Sequence, residues 1–349
     1  DSRYHMYMKK YEMVSREERT FYIYFTDDTN TRGWAGNGYL AASGMICPTP
    51  GWGHILERGF TVARNTDLKM QSVVIRSCSR FGMYIGQNEG TLIMDGVDFI
   101  PANASALNFT SWRDAFHVKD NRAKIIWQNC KASGNYDDVF NISASTLSVS
   151  YYNAAAGIIN LKWKETGGNY YPIKPGDPLR VIDTATGLEC GTVTVKSVVS
   201  QKNGTDIIAV NGSLSNIGSD LSGIAAYFTN RCAPGSVITD CDFNGTFRFR
   251  GPLTVENTKL YNMNIWIDVE KLIEGPVPGN ILFSGCEISG KGNFYIDSYS
   301  KSENGYHIGD ISFRNCILDD TKLRIGENDT SFVHLSGCKN SSGESISDR

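Results

Sequence analysis

Short runs of alternating apolar and polar residues recur along the chain, most of them closed by a small or polar residue and then a cysteine. VVIRSC ends at Cys78, KIIWQNC at Cys130, SVITDC at Cys241, NILFSGC at Cys286, DISFRNC at Cys316 and SFVHLSGC at Cys338. TLIMDGVDF (91–99) and LTVENTKL (253–260) fit the same template without the cysteine. Alternation with period two predicts strands. Its return every 17 to 33 residues predicts a coil that stacks on itself. The expected fold is all-β, a parallel β-helix. No long 3.6-residue period interrupts this reading. The best helical candidate is the weak Met6–Arg19 segment.

The repeat is not continuous, and its breaks divide the chain. Residues 1–62 contain FYIYF and GYLAASGMICPTPGWG, strands and turns without the repeat. Residues 63–146 hold the first coils. Residues 147–230 lose the pattern: GIINLKWKE, DPLRVIDTATGLECGTVTVKSVVS and TDIIAVNG alternate between Gly and Asp turns, the signature of an antiparallel meander. This length suits a small antiparallel β-barrel inserted between two coils. The coils resume over 231–349, with a polar tail, NSSGESISDR, expected to fray.

Composition narrows the function classes. At 349 residues and 41% hydrophobic content there is ample material for a core. A net charge of −3 gives no electrostatic case for nucleic acid or an anionic membrane as partner. No apolar run reaches the length of a membrane span. The chain starts at Asp1 with no signal-like apolar region after it, and a processed or trimmed piece is the expectation.

The nine cysteines carry no CxxC pair, so a structural zinc site has no support. The six that close rungs share one register and are expected to stack as a reduced internal ladder, since buried free cysteine behaves as a small hydrophobe. Cys47, Cys190 and Cys232 lie outside it.

Candidate chemistry sits on two neighbouring rungs. Asp114 precedes the Asp137–Asp138 step by 23 residues, about one coil, which places the three carboxylates side by side at about one strand spacing of 4.8 Å. A regular strand would bury one of Asp137 and Asp138. Either a bend at Tyr136–Asp137 turns both outward or one is paired. Close carboxylates do not all ionise easily, so one stays protonated beside an ionised neighbour, the pair that glycosidic cleavage needs. A structural Asp ladder and a calcium site, for which oxygen-only clusters are suited, are the alternatives. Trp112 offers an apolar face to a sugar ring, and His117 falls on the same surface. In RFRG, Arg248 and Arg250 share one side of a strand, free to hold hydroxyls or carboxylates unless both simply face solvent. IWIDVEKLIEGP adds Asp268, Glu270 and Glu274 on the following coil.

At these residues the chain resembles glycoside hydrolase family 110, the α-1,3-galactosidases. GMYIGQNEGTLIMDGVDFIP, RDAFHV, a rung ending in NC and a DD-x-x-N step follow that family's order, and RFRG, the VEN rung and IEGPVPGNILFSGCEI continue it. The resemblance implies a right-handed β-helix carrying inserted barrels, with residues 1–62 the remainder of an earlier one. It implies removal of terminal α-1,3-linked galactose with inversion, without metal or other cofactor, by a secreted or periplasmic bacterial enzyme. The catalytic positions fall on Asp114, Asp137 and Asp138, and sugar contacts on His117, Asn141, Arg248, Arg250, Asp268 and Glu274. Two departures touch the pocket lining: DDVFNISA stands where the family continues towards N-V-H-G, and DAFH where it has D-A-T-H.

A polygalacturonase-like hydrolase also uses one Asp and a DD pair on a β-helix, but its G-H-G and R-I-K motifs are absent. A lyase would need a basic cluster beside the carboxylates. A carbohydrate-binding or adhesin-like β-helix, such as a tail-spike module, would rely on groove aromatics without a protonated acid. The partner expected is a carbohydrate with terminal α-galactose; a homodimer is left open.

Overall fold

The computed structural model describes residues 8–15, 20–25, 60–76, 78, 81–101, 110–111, 113–163, 172–202, 204–268, 274–275, 278–298 and 305–348. Residues 1–57 and 58–349 form separate units. In the first, Met8–Ser15 pairs antiparallel with Thr20–Phe25. The helix expected over Met6–Arg19 is therefore a strand where it is described. Its weak helix preference yields to pairing with the aromatic, β-branched run TFYIYF. Trp112, Glu270 and Cys47 lie outside the described residues.

The second unit is a parallel β-helix interrupted by a closed six-strand barrel. Each coil has three faces. The first face stacks Phe60–Ala63, Met83–Gly86, Phe116–Lys119, Asp138–Ser145, 246–249, 265–268, Phe294–Asp297 and Leu323–Ile325 in parallel. The second stacks 67–71, 91–95, Lys124–Gln128, Ser236–Thr239, Leu253–Glu256, Ile281–Ser284, Ile311–Arg314 and Val333–Ser336. The third is short, from 73–75 through Lys131–Ala132 to Glu287–Ser289 and single bridges at Ile317 and Lys339. Inward positions are mostly apolar, with Ser236 and Thr258 among the exceptions. Phe116 stacks on Phe140 with centroids 4.8 Å apart, and Phe283 on Phe313 at 4.9 Å.

The corner between the second and third faces explains the rung template. Ser72, Gly96, Asn129, Asp240, Asn257, Gly285, Asn315 and Gly337 all take φ between 46° and 63° there. That left-handed conformation is open to Gly and tolerated by Asn and Asp, hence the N-C, D-C and G-C dipeptides. The next residue points inward: Val97, Cys130, Cys241, Thr258, Cys286, Cys316 and Cys338 are all buried. Cys130 N lies 3.3 Å from Cys241 Sγ, and Cys241 N donates to Thr258 Oγ1 at 3.3 Å. Among the described residues every cysteine is free.

Cys78 does not belong to this ladder. It bridges Ser111, one step into the loop beyond the third face, while Val73 follows the corner in its coil. VVIRSC resembles the other runs, but the corner falls at Ser72, before the run rather than after it. Cys190 packs inside the barrel. Cys232 bridges Asn121, the last member of a buried asparagine ladder in which Asn65 donates to Asn88 at 2.9 Å and Asn88 to Asn121 at 3.0 Å.

The barrel runs in order Leu147–Asn153, Ile158–Trp163, Thr205–Asn211, Leu188–Lys202, Pro178–Asp183, Ile224–Phe228, antiparallel throughout, around its own apolar core. The chain leaves the coil at Thr146 and returns to lay Ser236–Thr239 on Lys124–Gln128. Buried Asp177 of the barrel clasps this junction by taking the Arg122 guanidinium and Asn230 Nδ2. The tail is not frayed. Lys339 bridges Ser345, and Ile346 donates to Cys338 O at 2.9 Å and packs on the core, covering an edge that the last coil would leave unpaired. Among the described residues no helix is long and apolar enough to cross a membrane.

Candidate active site

Asp114 ends the loop before Phe116–Lys119, and Asp138 opens the strand of the next coil; Ala115 N donates to Asp138 O at 2.9 Å. The two loops thus lie one rung apart. Asp137 and Asp138 both escape the core through a bulge. Asp138 aligns with Thr246 and Phe140 with Phe247, so Val139 is an extra residue. Val139 and Phe140 both turn into the core, and Asp138 is released to the outer side. Gly245 makes room for the bulge: a Cβ there would stand 2.5 Å from Val139 Cγ2.

One oxygen from each of Asp114, Asp137 and Asp138 lies within 4.8 Å of the others. Asp114 and Asp138 are 2% and 3% exposed. Each carboxylate faces a basic side chain. His117 Nδ1 is 2.6 Å from Asp114 Oδ2, Arg113 Nη1 is 3.0 Å from Asp137 Oδ2, and Arg248 Nε is 2.8 Å from Asp138 Oδ2. Burial pushes the Asp138 carboxyl well above the usual carboxylate range; Asp114, Asp137 and Glu274 push the same way, and Arg248 opposes them. Burial also raises Asp114, with His117 opposing and Asp137 and Glu274 adding to the rise.

Parallel register builds the surrounding surface. Tyr84, His117, Asn141, Arg248, Trp266 and Tyr295 occupy the same outward position on successive first-face strands. Glu274 arrives from a later coil: Glu274–Gly275 folds back and pairs antiparallel with Ala144–Ser145. Its Oε2 accepts from Asn141 Nδ2 at 2.9 Å and stands 4.0 Å from Arg250 Nη1, while Oε1 stands 4.0 Å from Lys119 Nζ. Burial pushes Glu274 up, but His117, Lys119, Asn141 and Arg250 outweigh it and hold the carboxyl below its usual value. Arg250 is fully buried, so the pair in RFRG is not a solvent-facing one.

Of the sequence candidates, Asp114, Asp137, Asp138, His117, Asn141, Arg248, Arg250 and Glu274 therefore share one polar surface. Asp268 lies on the first face with its backbone opposite Asp297. The sequence reading missed Arg113, Lys119, Phe81 and Trp266. Lys119 carried a signal, since it follows His117 by two positions on one strand.

The arrangement has the parts for acid–base chemistry on a hydroxylated ligand. A buried acid lies beside the half-open Asp137, whose side chain is 31% exposed. Buried Asn141 Oδ1 and Ser143 Oγ, on the same strand, make no hydrogen bond within the protein. Oxygen-only donors at this spacing are of the kind calcium takes. Here, however, arginine guanidiniums already stand beside Asp137 and Asp138, and His117 beside Asp114, and no metal is assigned.

No family model and no curated protein matches the chain. Among solved structures the chain is similar to the tailspike protein gp49 from Pseudomonas phage LKA1, with a TM-score of 0.21 and 12% identity, over 70% of this chain and 41% of that one. The chain thus spans less than half of that tailspike. A likeness of this strength bears on no residue of the site.

Proposed function

We propose that the protein is a glycoside hydrolase that removes a terminal α-linked galactose, with Asp114, Asp137 and Asp138 as its catalytic group. The observation that carries this reading is the meeting of three carboxylates within 4.8 Å, two of them buried and raised. Asp138, the more strongly raised, serves as the acid and donates its proton to the glycosidic oxygen as the C1–O bond breaks. Asp137, open to solvent and held by Arg113, takes a proton from the attacking water. Asp114, tied to His117, keeps the charge around Asp138 negative and so keeps its proton in place. Asn141, Arg248 and Glu274 supply hydroxyl contacts, and buried Arg250 stands behind Glu274. The α-1,3-galactosyl specificity and the extracellular or periplasmic setting come from the family resemblance.

Two stereochemical courses follow from different supports. The resemblance implies inversion, which asks for about 6.5–9.5 Å between acid and base. The short separation of these carboxylates favours the other course, in which about 5–5.5 Å separates acid and nucleophile and Asp137 attacks C1 itself. A screen of terminal α- and β-galactosides, with Asp137→Asn and Asp138→Asn alongside, tests the hydrolase reading. Free galactose from an α-galactoside, released about a hundredfold or more slowly in both variants, is the expected result. Binding of such a sugar without turnover would return the chain to the class of glycan-binding β-helices.

A further inference from the structure

The three carboxylates share a second layer that the proposed mechanism does not use. Each faces a basic side chain, and each of those side chains lies against an aromatic ring. The His117 ring centroid is 4.4 Å from that of Phe81 and 5.7 Å from that of Tyr84. The Arg113 guanidinium lies 6.0 Å from the centroid of the same Phe81. The Arg248 guanidinium lies 5.9 Å from the Trp266 centroid, and Trp266 is stacked on Tyr295 at 4.0 Å with 11° between the planes.

The stack follows from the coil. Arg248, Trp266 and Tyr295 are register partners on successive first-face strands, so their side chains lie over one another along the coil axis. One face of the Trp266 indole is covered by Tyr295, and Arg248 approaches from the neighbouring coil on the other side. Tyr295 thus takes one face of the ring, and the other lies toward Arg248. What it offers is a flat, electron-rich surface for a guanidinium, which prefers to lie over such a ring.

We propose that Phe81 and Trp266 are positioning residues of this site: Phe81 sets the contacts of His117 with Asp114 and of Arg113 with Asp137, and Trp266, backed by Tyr295, sets the contact of Arg248 with Asp138. The inference rests on the reading of these carboxylates as the catalytic group. It assigns a purpose to two rings that touch neither the reacting atoms nor the main core cluster.

The consequence is site-selective. Asp138 is faced by Asp114 and His117 from the neighbouring coil, by Asp137 from its own loop, by Arg248 from the next coil and by Glu274 from the back-paired strand. Of these, Arg248 is the one that rests on Trp266. Asp114 is faced by His117, Asp137, Asp138 and Glu274, and His117 rests on Phe81. A carboxyl that loses its cation holds its proton to higher pH.

The test is a side-chain carboxyl 13C NMR titration of the folded protein. In Trp266→Met the Asp138 midpoint moves to higher pH and the Asp114 midpoint stays. In Phe81→Met the Asp114 midpoint moves up, and by more than the Asp138 midpoint, which answers only through its neighbours Asp114 and Asp137. Trp266→Phe and Phe81→Tyr, which keep a ring, retain the unsubstituted midpoints. Folded Met variants with both midpoints unchanged overturn the proposal. A second measurement needs no variant: in the unsubstituted protein, with Arg248 held between Asp138 and Trp266, its side-chain protons are displaced from the positions of a free, rotating arginine. An Arg248 signal at the position of a free, rotating arginine overturns the proposal whether or not the variants fold. Neither measurement reads sugar turnover. A protein that releases no sugar but shows these shifts refutes the hydrolase reading alone, and an active one without them refutes this inference alone.

Discussion

Arg248 holds its Nε 2.8 Å from Asp138 Oδ2 across one rung of the coil, so the carboxyl that burial raises most still has a countercharge beside it. The two demands pull in opposite directions, and burial wins. A group whose folded pKa is raised above the unfolded value contributes stability below the unfolded pKa and loses it as pH rises through the folded pKa. Replacing Asp138 by Asn removes that loss. Asp138→Asn is expected to match the unsubstituted protein in stability near pH 4 and to gain on it progressively at higher pH, while turnover falls by about a hundredfold or more. Thermal unfolding across pH, paired with rates, checks both halves.

Glu274 carries the opposite sign. Its folded pKa is lowered, so its contribution is present above the unfolded pKa and lost as pH falls through the folded value. Glu274→Gln is expected to cost stability at neutral pH and little near pH 3. The strand Glu274–Gly275 then loses its hold on Asn141, which raises KM more than it lowers kcat. Hydrogen exchange at Ala144, Ser145 and Gly275 should quicken in the variant.

The bulge at Val139 depends on the missing side chain at Gly245. Gly245→Ala places a methyl group 2.5 Å from Val139 Cγ2, and overpacking of this kind costs about 1–3 kcal/mol. Because Val139 is the residue whose inward turn releases Asp138, activity is expected to drop with stability. The conservative Val139→Ala paired with Gly245→Ala should restore part of both.

Cys316 stands between Cys286 and Cys338 in the ladder, and its Sγ donates to Phe283 O at 3.5 Å. Cys316→Ser puts a more polar group in an apolar slot, at a cost of about 1–3 kcal/mol and no direct effect on chemistry. Mass analysis without reductant should find no disulfide among Cys241, Cys286 and Cys316.

The coil and its contents were legible to different depths. Rungs could be read because one corner residue must adopt a left-handed conformation, which leaves Asn, Asp or Gly before the cysteine at Asn129, Asp240, Gly285, Asn315 and Gly337, and Asn257 before Thr258. The same template misassigned Cys78, because alternation alone does not say on which side of a run the corner falls. The offset between Asp114 and Asp137 was visible once the coil length was known. The bulge that brings Asp138 outward was not, since it shows only as a mismatch with Thr246 and Phe247 more than a hundred residues on. Nor was the return of Glu274 to Asn141 over a separation of 133 residues, which is a tertiary pairing with no local signal. Met8–Ser15 became a strand because its partner supplied what its own propensity did not.

The central claim, that Asp114, Asp137 and Asp138 cleave a terminal α-galactoside, is tested most directly by following the first-formed sugar by proton NMR with the unsubstituted protein and its three Asp→Asn variants. The account predicts free galactose from an α-1,3-linked galactoside, each variant slowed by about a hundredfold or more, and no change on adding a chelator. A β-anomer formed first marks the inverting course and an α-anomer the retaining one. Full activity in all three Asn variants, or no galactose from any α-galactoside, would contradict it.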